Sequence, residues 1–496
     1  MANLSNELVQ YRGLFLFILV LGIGGTFQYG FNISVMNAHS PFMKAFINQT
    51  WIRRYATPIP PETLTLIWSF VVSVFSIGGL IGSTASGYFI GKFGKKKCLL
   101  YNCLLPLASA LLVGLSRTVN SIEMIMVGRF LCGFYSGLGI NVHAQFAGDI
   151  APRKLRGFIN ATGPLFVTLG KLFGQIVGLR ELLGAEEMWP YLMSASAIPA
   201  LIQLATLPFF PESPRYLLID KSDKDGCLKA MKKYWGNHNY QAEIDNMLSE
   251  KEICRTTKTM NVLELVRDRS MRWQLYVVIC ISLALQLSGI NAIYYYANSV
   301  FVTAGLPVEQ IPYMSLGMGS CEVLSSMLCT ILIERCGRKT LLLGSYGLMG
   351  VMLALLTVTL SLQGWYSWIP YCSAVLIFLY TLFFGVGPGA VTLSVVIEMC
   401  SHSSRPAVFV IISSLNWIGM YVIGVAFPYV VASLNQFCFL IFLTCILVSG
   451  IFLFVFLPET KGKSLQQITE EFNRFNFREK NSKDTAEISE KIETSV

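Results

Sequence analysis

Long apolar runs alternate with short polar segments along the whole of this 496-residue chain. A helix needs roughly 20 consecutive apolar residues to cross the hydrocarbon core of a bilayer. The first run is too long for the core of a signal peptide, so it is interpreted as a spanning helix. The pattern predicts twelve spans, at 13–36, 65–90, 98–117, 121–146, 157–179, 189–210, 272–300, 311–333, 340–362, 366–397, 406–432 and 436–457.

The composition favours the same class of protein. Hydrophobic residues make up 53% of the chain and charged residues only 14%, whereas a soluble protein of this size would carry more charge. The net charge of +9 indicates no nucleic-acid partner, because the inner loops of membrane proteins favour Lys and Arg. The thirteen cysteines lie in apolar runs or basic loops and predict no disulfide framework.

Basic residues follow every second span and predict the orientation of the chain. All of these basic segments lie on one side of the membrane if both termini do as well, and the positive-inside rule assigns that side to the cytoplasm. The long polar stretch 211–270 has Leu and Met at helical spacing, which predicts short cytoplasmic helices. The segment 37–64 then lies outside, and its Asn48-Gln49-Thr50 sequon predicts glycosylation of Asn48.

Three pairs of similar polar segments recur in the same order in the two halves of the chain. They are GKFGKKK (91–97) with ERCGRKT (334–340), GDIAPRKLRG (148–157) with EMCSHSSRPA (398–407), and PESPR (211–215) with PETKGK (458–463). Basic inner loops alone would not produce matched acidic residues. The pairs predict an internal repeat of two six-helix bundles. The predicted units are 1–210, the linker helices 211–270, 271–460 and a cytoplasmic tail, 461–496.

Polar residues inside the spans are the candidate functional groups. Gln286 and Asn291 lie close to one face of span seven, where they either bind substrate hydroxyls or join neighbouring helices. Lys171 and Glu322 lie deep in spans five and eight, at a cost of about 3 kcal/mol each. They pair with each other across the bundles, or Lys171 binds an anionic substrate, or Lys171 snorkels to the membrane surface. His143 in span four is interpreted as structural.

The chain resembles the facilitative hexose (glucose) transporters, sugar porters of the major facilitator superfamily, from about residue 22 to residue 463. The resemblance rests on Gly128-Arg129, on PESPRYLL and LPETKGK, on QLSGINAIYYYA (286–297), and on GVGPG (385–389). FQYGFN (27–32), GSCE (319–322) and GLRELLG (178–184) are most similar to the fructose-carrying class II. The resemblance implies an all-α membrane protein with the major facilitator fold. No nucleotide loop, metal cluster or nucleophile motif is found, so neither an enzyme nor a cofactor is expected.

By this resemblance, the substrate-binding residues are expected to be Gln286, Asn291, Tyr29, Asn416, Trp417, Glu322, Gln175 and Tyr295. Charged residues at the cytoplasmic ends of the spans are expected to form a gate that pairs when the bundles meet, although they could serve only to anchor the topology. The gate residues implied by the resemblance are Lys95, Lys96, Asp149, Arg156 and Glu212 in the first half, and Glu334, Arg338, Glu398, Arg405 and Glu459 in the second.

Several family positions are altered, and the alterations bear on the substrate. Amides usual in the family are replaced by Pro164, Leu285, Glu322 and Met420, and a tryptophan is replaced by Leu393, which weakens the case for glucose selectivity. Related proton symporters carry an Asp in span one where this chain has Asn32, which favours uniport. The expected activity is facilitative transport of fructose or glucose across the plasma membrane.

Two other functions stay open, and one further partner is predicted. The first alternative is a carrier of an organic anion such as urate with the same fold, and the second is a sugar sensor that does not transport. Thr494 and Val496 at the C-terminus match a ligand of PDZ domains, which predicts such a partner.

Overall fold

The computed structural model describes residues 11–476, apart from 153–154, 237–239, 242, 246, 249–259, 402 and 464. The side chains of residues 156–158, 160, 161, 330 and 334 also lie outside the description. The regular structure of the described part is helical. In lipid, each backbone N–H and C=O must find its partner within the protein, and a helix meets this need within one segment.

Ten continuous helical stretches are long and apolar enough to cross a membrane. One of them, Arg405–Phe456, contains two spans joined by a short turn, and the helix Arg156–Val177 supplies the remaining span. The spans in chain order are Arg12–Gly24 with Thr26–Ala38, Pro61–Phe93, Lys95–Asn102 with Leu104–Val119, Ile122–Ile150, Arg156–Val177, Trp189–Ser194 with Ala197–Thr206, Arg272–Leu287 with Ile290–Thr303, Ile311–Cys336, Arg338–Leu362, Ile369–Val386 with Pro388–Met399, Arg405–Leu434 and Cys438–Phe456.

The prediction of twelve spans is therefore confirmed, and the bounds differ by a few residues. Span two is longer than predicted because its helix continues into polar residues at both ends, including Glu62 and Lys92. The linker contains the predicted short helices, at Pro214–Ile219, Lys224–Trp235 and Val262–Arg267. The described cysteines are all free thiols.

Two helices outside the spans were not predicted. The segment interpreted as an outer loop contains the helix Ser40–Tyr55, on which Asn48 is half-buried. The start of the tail forms the helix Leu465–Asn476, which packs against the start of span seven. There the Asn476 side chain accepts a hydrogen bond from the Trp273 backbone at 3.1 Å and donates to the Ser270 carbonyl at 2.6 Å.

Span seven is broken in its middle, and the break positions the polar residues of the candidate site. Gly289 has φ +89°, in the left-handed region, and a Cβ there would lie 2.5 Å from the Phe442 ring. Gln286 ends the first half-helix and Asn291 begins the second. Discontinuous helices of this kind commonly line the substrate sites of transporters.

The most extensive contacts between the two bundles are made by three pairs of spans. Asn37 of span one accepts from the Asn298 backbone of span seven at 2.7 Å, and the hydroxyls of Ser83 and Ser413 join spans two and eleven. The third pair, spans five and eight, carries the ion pair described below. The contacts of spans one with seven and five with eight lie away from the basic turns, at what we term the opposite end; the end with the basic turns is the basic end.

The internal repeat is visible in the backbone of the basic turns that follow spans two and eight. Gly94 has φ +81° and Gly337 has φ +88°. A Cβ at Gly94 would lie 2.9 Å from a carboxylate oxygen of Glu212, and a Cβ at Gly337 would lie 2.8 Å from one of Glu459. Each turn therefore needs glycine for two reasons. The first is its backbone dihedral angles, and the second is the close approach of a glutamate from the segment that follows the last span of the same bundle.

Replacement of this glycine should destabilise the first bundle. Gly94→Ala is expected to cost about 1–3 kcal/mol, because alanine must adopt a backbone conformation that is nearly confined to glycine. Thermal unfolding of the purified protein would measure the loss. Gly91→Ala is the matched control, since it lies in the preceding helix with open space at its Cβ and should leave the midpoint unchanged or slightly higher. An equal effect of the two substitutions would contradict this account.

Candidate substrate site and basic-end charges

A chain of amides connects both halves of span seven with span eleven. The Asn291 amide donates to Gln286 Oε1 at 2.6 Å, and Gln286 Nε2 donates to Asn416 Oδ1 at 2.5 Å. Gln286 is 3% exposed and Asn291 is 8% exposed, so the site is closed around them in this conformation. The structure thus brings together three predicted substrate ligands, and at the same time shows the helix-joining bonds that were the alternative interpretation.

Aromatic rings from three spans surround the end of this amide chain. The Trp417 indole is buried, with its ring centroid 5.5 Å from that of Tyr29 and 5.8 Å from that of Phe75. The Tyr29 hydroxyl donates to the sulfur of Met420 at 3.2 Å. Because Tyr29 and Phe75 belong to the first bundle and Trp417 and Met420 to the second, the aromatic cluster crosses the interface between them.

Two further predicted ligands present polar atoms with no hydrogen bond. The Tyr295 hydroxyl and Gln175 Oε1 are both buried, and neither has a partner among the described residues. Gln175 of span five lies directly against Gly319 of span eight, at the same interface between the bundles. Buried polar atoms of this kind are usually paired, so each is available to a bound polar molecule.

The two deep charges pair with each other, which selects one of the three sequence-based alternatives. Lys171 Nζ lies 2.8 Å from Glu322 Oε1, and the two residues are 6% and 4% exposed. The Tyr294 hydroxyl donates to the second oxygen of Glu322, and the Lys171 ammonium lies 4.1 Å from the centroid of the Tyr294 ring. Glu322, predicted as a substrate ligand, therefore has both carboxylate oxygens occupied in this conformation.

Arg129 is a third buried charge, and its surroundings differ from those of an ion pair. Its guanidinium donates to the carbonyls of Asn32 at 3.0 Å and Val72 at 3.3 Å and lies 4.7 Å from the centroid of Phe75. None of the carboxylates in the described part of the chain pairs with it. Asn32 of span one therefore offers this arginine only its carbonyl.

The predicted gate residues form two similar clusters, each within one bundle. Lys95 pairs with Asp149 in the first bundle, and Arg338 pairs with Glu398 at 3.0 Å in the second. Arg405 donates to the carbonyl of Ile397 at 3.1 Å. The side chains of Arg156 and Glu334 lie outside the described residues.

Glu212 and Glu459 cap helix N-termini at corresponding places in the repeat. Glu212 accepts hydrogen bonds from the backbone of Lys96 at 3.0 and 3.1 Å, and Glu459 accepts from those of Arg338 at 2.9 Å and Lys339 at 3.1 Å. A carboxylate at a helix N-terminus is stabilised by free N–H groups and by the helix dipole. It also offsets the charge of the lysines and arginine that begin each helix.

The lysines of the two turns repeat the symmetry. Lys96 Nζ donates to the Pro208 carbonyl at 2.9 Å, and Lys339 Nζ donates to the Phe454 carbonyl at 2.8 Å. In this conformation these residues hold spans two and three to span six, and spans eight and nine to span twelve, as parts of one bundle each.

The pKa values of the two capping glutamates shift in opposite directions. Burial raises the pKa of Glu212, and its hydrogen bonds and neighbouring lysines compensate only in part. Burial also opposes ionisation of Glu459, but backbone N–H groups of residues 461 and 338–340 outweigh it and hold the pKa below its ordinary value.

Sequence reasoning missed Phe75 and underestimated Tyr294. Phe75 lies in an apolar run of span two, where nothing distinguishes a ring facing the site from one facing lipid. Tyr294 belongs to a run of three tyrosines, and the sequence did not show which of them would meet Glu322.

The profile of the family "Sugar (and other) transporter" matches residues 17–472. The mouse facilitated glucose transporter member 9 is 41% identical over 459 residues, which cover 92% of this chain and 85% of the relative. Human member 11 is 39% identical over 471 residues, covering 95% of both chains.

The chain belongs to the sugar transporter family.

The fold agrees with this membership. The inward-open structure of the xylose transporter XylE from E. coli superposes with a TM-score of 0.76 at 19% identity, covering 92% of this chain and 99% of that one. The resemblance to the hexose (glucose) transporters expected from the motifs is confirmed. These relatives are transporters rather than enzymes, and the transporter is a multi-pass membrane protein with the major facilitator fold.

Acidification should act oppositely through the two capping glutamates. Glu459 stabilises the folded state above the unfolded-state pKa of about 4.3, and this contribution is lost as pH falls through the lower folded-state pKa. Glu212 binds its proton more tightly in the folded state than in the unfolded state. The folded state therefore gains stability relative to the unfolded state as pH falls through the raised pKa of Glu212.

Thermal unfolding of the wild type, Glu459→Gln and Glu212→Gln between about pH 7 and about pH 3 would measure these contributions. The advantage of the wild type over Glu459→Gln should shrink on acidification. Over the same range, the stability of the wild type relative to Glu212→Gln should rise. Parallel changes for both substitutions would show that the two caps are not electrostatically different.

Proposed function

We propose that the transporter is a facilitative hexose carrier, for fructose or glucose, that works by alternating access. The amide chain of Gln286, Asn291 and Asn416 next to the Tyr29 and Trp417 rings carries this proposal. Amides donate to and accept from sugar hydroxyls, and aromatic faces pack against the apolar faces of a sugar ring. The relatives named as facilitated glucose transporters support hexoses as the cargo.

Binding of a sugar requires that the amide–amide bonds be exchanged for amide–hydroxyl bonds. This exchange keeps each polar group paired, so its net free-energy change is small, and it needs the bundles to part around the buried site. The unpaired Tyr295 hydroxyl and Gln175 Oε1 offer additional hydrogen bonds that are not made in this conformation. We propose these as sugar ligands together with the amides.

Uniport is favoured over proton symport by the environment of Arg129. In span one, Asn32 cannot titrate, and the Arg129 guanidinium is satisfied by carbonyls and a ring. Glu322 is the one acidic group of the described residues in direct contact with Lys171, and its two oxygens are held by Lys171 and by the Tyr294 hydroxyl. We also propose that the protein lies in the plasma membrane, with the basic end and both termini on the cytoplasmic side. Asn48 then lies on the outer side, where it is available for glycosylation.

The organic-anion alternative is weakened by the same ion pair, because Lys171 already has a carboxylate partner. The sensor alternative depends on the tail, and the PDZ-ligand residues Thr494 and Val496 lie outside the described residues.

Uptake of labelled fructose, glucose and urate into proteoliposomes, with and without a pH gradient, distinguishes these activities. Saturable hexose uptake that is insensitive to the gradient is expected, whereas urate uptake alone, or no uptake, would overturn the proposal.

Loss of the central amide should impair transport more than folding. Gln286→Ala removes one member of the amide chain and leaves Asn291 and Asn416 without their partner, so we expect hexose uptake at subsaturating concentration to fall at least about tenfold. Gln466→Ala, on the helix after span twelve, is the matched control and should leave uptake unchanged. Equal uptake by the two variants would exclude Gln286 as a sugar ligand.

The Lys171–Glu322 pair is expected to stabilise the conformation in which the opposite end is closed, because it joins spans of different bundles. Lys171→Met leaves a buried carboxylate unpaired, which costs about 3–5 kcal/mol and should favour parting of the bundles. A cysteine introduced by Ser315→Cys, next to Asn37 at the closed interface, should then react faster with a membrane-impermeant maleimide, as measured by mass spectrometry of the labelled peptide.

Two variants control for effects unrelated to the pair. Lys221→Met removes a lysine that also faces a tyrosine ring, but on the linker, and should not change the labelling rate. Exchange of the two charges in Lys171→Glu with Glu322→Lys should restore slower labelling. Labelling that is unchanged in Lys171→Met, or unaffected by the exchange, would show that the pair does not hold the bundles together.

A further inference from the structure

A cavity of about 280 Å³ lies between the two bundles at the opposite end, away from the amide chain. Lys44 and Trp68 line it from the first bundle, and Tyr296, Phe427 and Phe439 line it from the second. None of the three residues of the amide chain contributes to its wall. The cavity is therefore separate from the proposed sugar site, although Tyr296 belongs to the same half-helix as Asn291.

Lys44 is the charged group of this wall, and it has no anionic partner in the described part of the chain. Its ammonium lies 5.6 Å from the centroid of the Trp68 ring, which is the single interaction of its charge that the described residues show. Burial lowers the pKa of this ammonium. A partly desolvated cation is stabilised by an anion far more than by a ring face alone.

The remaining wall is mainly apolar and aromatic, with a few hydroxyls and the residues Asn435 and Gln436. Leu64, Val300 and Val431 add aliphatic surface, and Thr65 and Thr303 add hydroxyl groups. The volume is near the lower end of the range for small-molecule sites, about 300–1,000 Å³. A cavity that combines one unpaired cation with four aromatic residues fits a compact aromatic anion better than a neutral sugar, which would leave the partly desolvated Lys44 ammonium without an anionic partner.

We propose that this cavity is a second ligand site, which binds an aromatic carboxylate with its charge on Lys44 and its rings against Phe427 and Phe439. Both bundles contribute to the wall, so an occupied cavity adds contacts between them at the opposite end. Parting of the bundles at that end would disrupt the site. The ligand is therefore a non-competitive inhibitor that stabilises the conformation described here.

Equilibrium binding of radiolabelled 2-naphthoate to the purified full-length protein tests the site without reliance on transport. Saturable binding is expected, and unlabelled 2-naphthoate should compete at least about tenfold better than the uncharged 2-naphthamide, because a charge-assisted bond to the ammonium is lost in the amide. Stronger competition by dodecanoate than by 2-naphthoate would overturn the assignment to aromatic acids in favour of a lipid chain. Equal competition by the carboxylate and the amide would overturn the role of Lys44.

Three substitutions localise the binding. Lys44→Gln should weaken it at least about tenfold, Lys44→Arg should retain it, and Ala432→Phe should abolish it by filling the cavity while the charge stays in place. Wild-type affinity in both Lys44→Gln and Ala432→Phe would overturn the proposal. In proteoliposomes, 2-naphthoate should lower the maximal rate of hexose uptake without changing KM, whereas a rise in KM alone would place the ligand in the sugar site instead.

Discussion

The absence of water from the hydrocarbon core is the constraint on which this structure depends. A polar group within a span must find its partner in the protein, because lipid offers none. The backbone meets this constraint by forming helices, and the side chains meet it by bonding to one another. The amide chain, the Lys171–Glu322 pair and the carbonyls around Arg129 are three results of the same requirement. Each places a polar group at a defined depth, so a substrate site can be built where water is scarce.

The polar contacts that result are of two kinds. Some join spans of one bundle, and others join the two bundles and must break when the bundles part. The capping glutamates and the lysine–carbonyl bonds of the basic end join spans of one bundle, in nearly the same geometry in both halves. Between the bundles, by contrast, few residues carry the polar contacts, notably Asn37, Ser83 and Lys171 with their partners. Two internally braced bodies joined by a small number of polar contacts are suited to rigid-body rocking.

Much of the fold follows from the sequence because apolar length and repeated turns are local signals. The spans and the repeat needed only runs of apolar residues and three pairs of polar segments. The partner of Lys171 was left open, since a sequence shows that a buried charge needs a counter-charge but not which way a helix face turns. The helix Ser40–Tyr55 was missed for a similar reason, because its polar residues gave no apolar run, and Met43, Phe46 and Ile47 became buried only through tertiary packing.

The proposed preference for a hexose over an anion rests on the interactions within the protein that each of these substrates would have to break. A neutral hexose exchanges one set of amide hydrogen bonds for another, so the bonds lost and gained at Gln286 and Asn291 are of similar strength. An anion directed to Lys171 must first break a buried ion pair and then leave the Glu322 carboxylate without its cation, held by Tyr294 alone. That carboxylate would repel the incoming charge at close range and low dielectric. The pairing of Lys171 with Glu322 therefore supports the proposal of an uncharged substrate at the candidate central site, even though a buried lysine lies nearby.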